Sequence, residues 1–176
     1  MFVGKKIRLR AYKKEDMDKA YRLVNDPEVR ILLNPGIPYP LKREEEDKFY
    51  ENLSSSKDTY SFAIERIHDQ KYIGGCGVNE VDWKNSNCCV GIFLGKPYWS
   101  SGYGTEAMKI LVNFIFKEMN LNRIYLNVYS FNERAITSYK KAGFKIEGRL
   151  REHIFRFGNY HDEIIMGILR REYEHQ

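Results

Sequence analysis

A chain of 176 residues, 43% hydrophobic and 30% charged, has the length of one compact domain and an ordinary globular composition, which excludes a disordered chain. Its net charge of +5 is scattered, with a locally acidic run at 42–47 (KREEED), and so offers no basic stripe for nucleic acid. The three cysteines, Cys76, Cys88 and Cys89, lack C-x-x-C spacing and exclude a disulfide framework or a structural zinc site.

The opening MFVGKKIRLR lacks the apolar stretch of a secretory leader, and no run reaches the ~20 apolar residues that cross a bilayer. A cytoplasmic protein without a membrane partner is expected.

In chain order, alternation of Ile7, Leu9 and Ala11 predicts a strand over residues 5–11. Asp16 is read as opening a helix that carries Met17, Ala20, Tyr21 and Val24, and Asn25-Asp26-Pro27 as breaking it. Residues 34–40 hold three prolines and a glycine and form a loop. Residues 42–53 form a second helix, with Phe49 and Leu53 on one side and acids on the other.

Strands are expected at 59–66, 72–81 and 88–94 as an antiparallel meander, turning first at His68-Asp69-Gln70. The helix at 104–119 shows one wet stripe, Lys109, Asn113, Lys117 and Asn120, and is otherwise apolar, so a sheet should cover it. Ile124, Leu126 and Val128 alternate through a strand that must run parallel to the one before the helix, because a helix crossover joins the two. A shorter helix at 132–142, capped by Asn132 and ended by Gly143, leads to two final strands, 144–150 and 162–169, around Phe157-Gly158-Asn159. One domain over 1–176 is expected, an α/β (α+β) mixed sheet with helices packed on its faces.

Between the third meander strand and the long helix lie Trp99, Ser100, Ser101, Gly102, Tyr103, Gly104 and Thr105. Two glycines let the chain turn sharply and approach a ligand. The first helical turn leaves backbone N–H groups unpaired, a natural seat for phosphate. Taken alone, the same glycines also suit a plain strand-to-helix bend. The P-loop pattern G-x-x-x-x-G-K-S/T is absent, and Gly74-Gly75-Cys76-Gly77 lies within a strand pattern and precedes no helix.

Three blocks in order resemble the GNAT N-acetyltransferases, closest to the RimJ/RimL type. The first, Pro97-Tyr98-Trp99-Ser100-Ser101-Gly102-Tyr103-Gly104-Thr105-Glu106-Ala107, is similar to the acetyl-CoA loop of that family. The second, Asn132-Glu133-Arg134-Ala135 with Tyr139-Lys140-Lys141-Ala142-Gly143-Phe144, resembles its N-x-x-A-x-x-x-Y-x-K-x-G-F segment. Glu147-Gly148 with Gly158-Asn159-Tyr160-His161-Asp162 resembles its terminal hairpin.

The resemblance implies a mostly antiparallel sheet with a V-shaped opening between the fourth and fifth strands. Pantetheine would lie there along the backbone of Ile92, Phe93 and Leu94. The pyrophosphate would sit on Ser100–Thr105, with Asn132, Arg134 and Ala135 on the other arm and Tyr139 at the reacting sulfur. The implied partners are acetyl-CoA and an amine acceptor, protein N-terminal or small-molecule, with no metal. A polyamine is the alternative acceptor that the resemblance leaves open, without an acidic constellation that claims it, and a monomer or homodimer is expected.

Transfer to an amine needs a neutral nucleophile, a stabilised oxyanion and a protonated leaving thiolate. No Ser/His/Asp set is evident, and the thioester needs none. A tyrosine phenol, with a reference pKa of about 10, can donate at neutral pH, which suits Tyr139. The base is open. Many relatives of this type carry a Glu where this chain has Cys88, Cys89 and Val90; Glu80 is a weak candidate, beside Asp82.

The acceptor should meet the loop 34–41, Tyr39 and the acids 44–47, although such acids also simply suit a helix start. His153 and His161 read as hairpin residues. Two rival classes are a CoA-binding module without turnover and a nucleic-acid-binding domain; no basic helix or RNP-like block supports the second.

Overall fold

The computed structural model describes residues 2–33, 36–53 and 58–174. Seven strands form one sheet: β1 (Ile7–Arg10), β2 (Tyr60–Arg66), β3 (Lys71–Asp82), β4 (Asn87–Leu94), β5 (Arg123–Tyr129), β6 (Lys145–Arg156) and β7 (Asn159–Leu169). Their spatial order is β1-β2-β3-β4-β5-β7-β6. Every neighbouring pair is antiparallel except β4 and β5, which run parallel as the crossover required.

The crossover helix α4 (Tyr103–Glu118) buries Ala107, Met108, Leu111, Val112, Ile115 and Phe116. They join one cluster with Ile73, Val78, Cys88, Val90, Ile124, Leu126, Ile164 and Met166 from the sheet. Truncating a side chain as buried as Leu111 costs about 3 kcal/mol. Lys109 and Lys117 stay exposed, as the wet stripe demanded.

A smaller cluster of Met17, Ala20, Ala63 and Tyr72, with Tyr12, Tyr50 and Phe93 against it, covers the opposite face. Successive strand residues point to opposite faces, so Phe93 faces this cluster while Ile92 and Leu94 face α4. Helices α1 (Met17–Val24) and α3 (Arg43–Asn52) pack on that second side.

Several elements differ from the sequence reading. Asn25-Asp26-Pro27 does break α1, but a new helix, α2 (Pro27–Leu33), begins there. Asp26 accepts hydrogen bonds from Glu28 N–H at 2.9 Å and Val29 N–H at 3.4 Å, so Asp-Pro is a helix start. Residues 34 and 35 of the expected loop lie outside the described residues; 36–42 form no element.

Asp16 stands at the N-cap position of α1, as the sequence suggested, but its side chain makes no capping bond to that helix. It is buried and accepts from Arg10 at 2.6 and 2.8 Å and from Lys13 N–H at 2.8 Å. On α3 the acids are not all on the wet side, because Glu46 is buried. The last two strands are longer than predicted, since bulges between Ile146 and Gly148 and between Leu150 and Ile154 obscure their alternation. A final helix, α6 (Arg170–Glu174), follows. Arg170 gives hydrogen bonds to the Phe116 and Leu121 carbonyls and so closes the end of α4.

Candidate functional site

The parallel ladder joins only Asn87 to Arg123, Cys88 to Ile124 and Cys89 to Tyr125. Beyond that point β4 stays with β3 as far as Leu94, while β5 stays with β7 as far as Tyr129. The two strands therefore part, and a cavity of about 900 Å³ fills the opening. The sheet splits where the resemblance implied.

Gly95 N–H bonds the Ile73 carbonyl of β3 at 3.0 Å. In a trans peptide the Leu94 carbonyl points the other way, into the opening, where Trp99 Nε1–H donates to it at 2.8 Å. By the same pleat, Ile92 presents its backbone polar groups to the opening and Phe93 presents its own to β3. Ile92 and Leu94 could thus pair with an extended ligand; Phe93 contributes its ring to the other face.

After β4 a single 3-10 turn, Lys96–Tyr98, leads into the glycine loop. Gly102 caps α4 with φ of +83°, a left-handed backbone that disfavours any Cβ. Glu106 N–H makes the first helical bond, to the Gly102 carbonyl. The N–H groups of Tyr103, Gly104 and Thr105 are the unpaired donors ahead of it. Lys6 Nζ donates to the Ser101 carbonyl at 3.1 Å and adds a positive charge to the loop.

Gly104 is informative in another way. A Cβ there would stand 3.5 Å from Leu94 Cδ1 and from Ser138 Oγ, ordinary contacts, and its φ is not left-handed. The fold does not require glycine at this position; a ligand pressed against the backbone would. Residues 100–105 therefore present open backbone donors at which an anion could sit.

Helix α5 (Glu133–Lys141) forms the facing wall. The Asn132 side chain accepts from Ala135 N–H at 3.3 Å, which engages Asn132 as the helix cap. Gly143, with φ of +102°, ends the segment. The Thr105 and Ser138 hydroxyls meet at 2.9 Å and tie α4 to α5. Tyr139 is buried and lines the cavity. Burial pushes its phenol up to about 12, with Arg134 pulling weakly the other way. It holds its proton throughout the neutral range.

The other face of the opening carries residues that sequence reasoning missed: Tyr12, Asn79, Asn127, Tyr129 and Glu163 line the cavity, with Phe49 beside Tyr12. The Tyr12 hydroxyl sits where a Cβ on Gly75 would fall, so that strand glycine makes room for it. Burial pushes the phenols of Tyr12 and Tyr72 up. Burial also pushes the Glu46 carboxyl up. No sequence spacing links Tyr12, Asn127 and Glu163, because they come from three distant segments.

Other candidates do not converge here. Glu80 is exposed and outside the cavity lining, as is Tyr39, whose ring carries the Arg30 guanidinium at 5.9 Å. Cys89 lines the cavity, and burial followed by nearby Glu80 pushes its thiol up, away from the thiolate. His161 bonds the Arg156 carbonyl at 3.1 Å and packs against Phe131. Glu106 accepts from Lys6 N–H at 3.0 Å and fastens the N-terminal segment to α4.

The acetyltransferase (GNAT) domain family matches residues 6–145. The uncharacterized N-acetyltransferase p20 of Bacillus licheniformis is 30% identical over 170 residues, covering 96% of this chain and 95% of its own. The spermidine N(1)-acetyltransferase of Escherichia coli K12 is 28% identical over 167 residues, 95% of this chain and 88% of that protein. In fold, a spermidine N-acetyltransferase from Vibrio cholerae, solved with CoA and spermine, superposes with a TM-score of 0.86 at 24% identity, covering 96% and 98% of the two chains. The chain belongs to the GNAT acetyltransferases, and its reaction is the transfer of an acetyl group from acetyl-CoA to an amine.

Proposed function

We propose that the whole chain works as one acetyl-CoA-dependent N-acetyltransferase domain acting on the primary amine of a small cationic molecule, with polyamines the first acceptors to try. The observation that carries this reading is the single cavity running from Gly104 and Thr105, past Tyr139, to Tyr12, Phe49 and Glu163. One end suits a polyphosphate and the other an amine. The aromatic walls fit an alkyl chain, and the carboxylate at their edge fits its ammonium. The similarity to a spermidine acetyltransferase supports the same acceptor class.

In this reading the N–H groups of Tyr103–Thr105 bind the pyrophosphate, and Ile92 and Leu94 hold the extended arm by strand-like pairing. Asn132, Arg134 and Ala135 flank the other side. Tyr139 donates a proton to the leaving thiolate, and its raised phenol keeps that proton ready. Trp99 in the loop supports the RimJ/RimL type, for which a protein N-terminal amine is the second acceptor. The cellular site proposed is the cytoplasm.

A thiol-release screen with acetyl-CoA and a panel of spermidine, spermine, amino-terminal peptides and simple amines tests the proposal. Turnover should be highest with the polyamines. Turnover with peptides alone would replace the acceptor class, and tight acetyl-CoA binding without turnover would favour a sensing module.

A further inference from the structure

Glu163 reaches the cavity from β7, the strand beyond β5, where its register partner is Tyr129. Its neighbour Ile164 belongs to the α4-side core, so alternation sets Glu163 on the opposite face, with Asn127 and Tyr129. Its side chain is 9% exposed and lines the same cavity as Tyr139. The thiol of Cys89 on β4 and the phenol of Tyr129 on β5 both feel its charge.

What surrounds it differs from a structural ion pair. Glu65, the most buried carboxylate, is gripped by Arg8 and Arg10. Among the described residues, Glu163 has one ionic neighbour, His153 on β6, with Nε2 3.5 Å from its carboxylate. His153 is 54% exposed. The nearby Arg156 gives hydrogen bonds to the Ile31, Gly36 and Phe155 carbonyls and covers the Tyr129 ring at 5.7 Å. A buried carboxylate thus faces the cavity on one side and an imidazole open to solvent on the other.

We propose that Glu163 is the general base of the transfer and that His153 passes the proton on to solvent. The assignment rests on the reading of a cationic amine entering over Tyr12 and Phe49. Glu163 takes one proton from the ammonium and leaves a neutral nitrogen lone pair. That pair forms the N–C bond at the thioester carbonyl carbon, whose π electrons move to oxygen. As the carbonyl re-forms, the C–S bond breaks and the sulfur receives the Tyr139 phenolic proton. The phenolate recovers a proton from the new amide nitrogen. The proton on Glu163 leaves through His153, so one proton is released for each ammonium acetylated.

The test uses the full chain, with spermidine and an α-amino peptide as probes and thiol release at neutral pH as the readout. Positioned bases contribute roughly 10²–10⁴-fold. Glu163→Gln should lower kcat with spermidine by about 100-fold or more, beyond the rise in KM from the lost ammonium contact, with acetyl-CoA affinity within about threefold of wild type. The loss should be smaller with the α-amine, which has a pKa of about 8 and needs a base less than an alkylamine above about 10. His153→Gln should cost about tenfold, and added imidazole should restore part of it.

Glu163→Asp keeps the carboxylate one methylene away and guards against misfolding, so it should retain more activity than Glu163→Gln. Three outcomes overturn the assignment: a Glu163→Gln kcat within about threefold of wild type, a KM that rises while kcat holds, or equal loss in the Gln and Asp variants. Wild-type protein that releases no thiol with any amine would overturn the acceptor reading itself, and the base assignment with it.

Discussion

The guanidinium of Arg134, on α5, lies 3.4 Å from the centre of the Trp99 ring, in the loop before α4. Trp99 is held in turn by its bond to the Leu94 carbonyl at the end of β4. This stack joins the two blocks that the resemblance assigned to the cofactor. It also keeps a cation beside the proposed phosphate seat, where burial lowers the Arg134 pKa.

A flat guanidinium stacks where an ammonium cannot. Arg134→Lys should therefore weaken acetyl-CoA binding about tenfold, roughly 1.4 kcal/mol, by isothermal calorimetry. The melting temperature should stay close to wild type.

The two loop glycines should separate. Gly102→Ala forces a Cβ onto a left-handed backbone and should cost about 1 kcal/mol, read as a fall of roughly 2–4 °C in melting temperature. Gly104→Ala has room in the protein itself and should leave the melting temperature unchanged. Its acetyl-CoA affinity should nevertheless fall by about tenfold or more. Equal effects on both readouts would remove Gly104 from the cofactor seat.

Tyr139→Phe should keep acetyl-CoA affinity and lower kcat by about 100-fold. In the wild type the active form of this acid is protonated, and its pKa is raised to about 12. Its contribution is lost only as pH rises through that value. The kcat profile should show no descending limb from this group up to about pH 11, and a limb that Tyr139→Phe abolishes near pH 8 would contradict the assignment.

Acid should loosen the β1–β2 edge. Burial acts to raise the Glu65 and Asp16 carboxyls, but the Arg10 hydrogen bonds outweigh it, helped by Arg8 and by Lys13 N–H respectively, and both end below their ordinary values. Depressed carboxyls stabilise the fold above their unfolded values of about 4, and that stability is lost as pH falls below them. Glu65→Gln should cost roughly 3 kcal/mol at pH 7 by urea unfolding, and much less near pH 3.

Local periodicity was enough for the seven strands, the wet stripe of α4 and the parallel step across it. A crossover helix and a period of two are properties of contiguous residues. The glycine turn before α4 was legible as one short segment, and it was the resemblance, not periodicity, that proposed Trp99–Thr105 and Asn132–Tyr139 for the cofactor. Helix α2 was missed because Asp26-Pro27 ends one helix and starts another with the same two residues. The terminal strands came out short because bulges shift the alternation on which their reading depends.

The proposed acceptor end was decided by tertiary structure alone. Tyr12, Asn127 and Glu163 line one cavity because β4 and β5 separate, and no linear spacing encodes a gap between strands that each keep another partner. The sequence named Glu80 as the carboxylate to consider, and the fold leaves it exposed and turns Glu163 inward instead. By itself the sequence determined that the chain handles acetyl-CoA. Which residues line the far end of the cavity depended on the sheet parting after Cys89 and Tyr125, where β4 stays with β3 and β5 with β7.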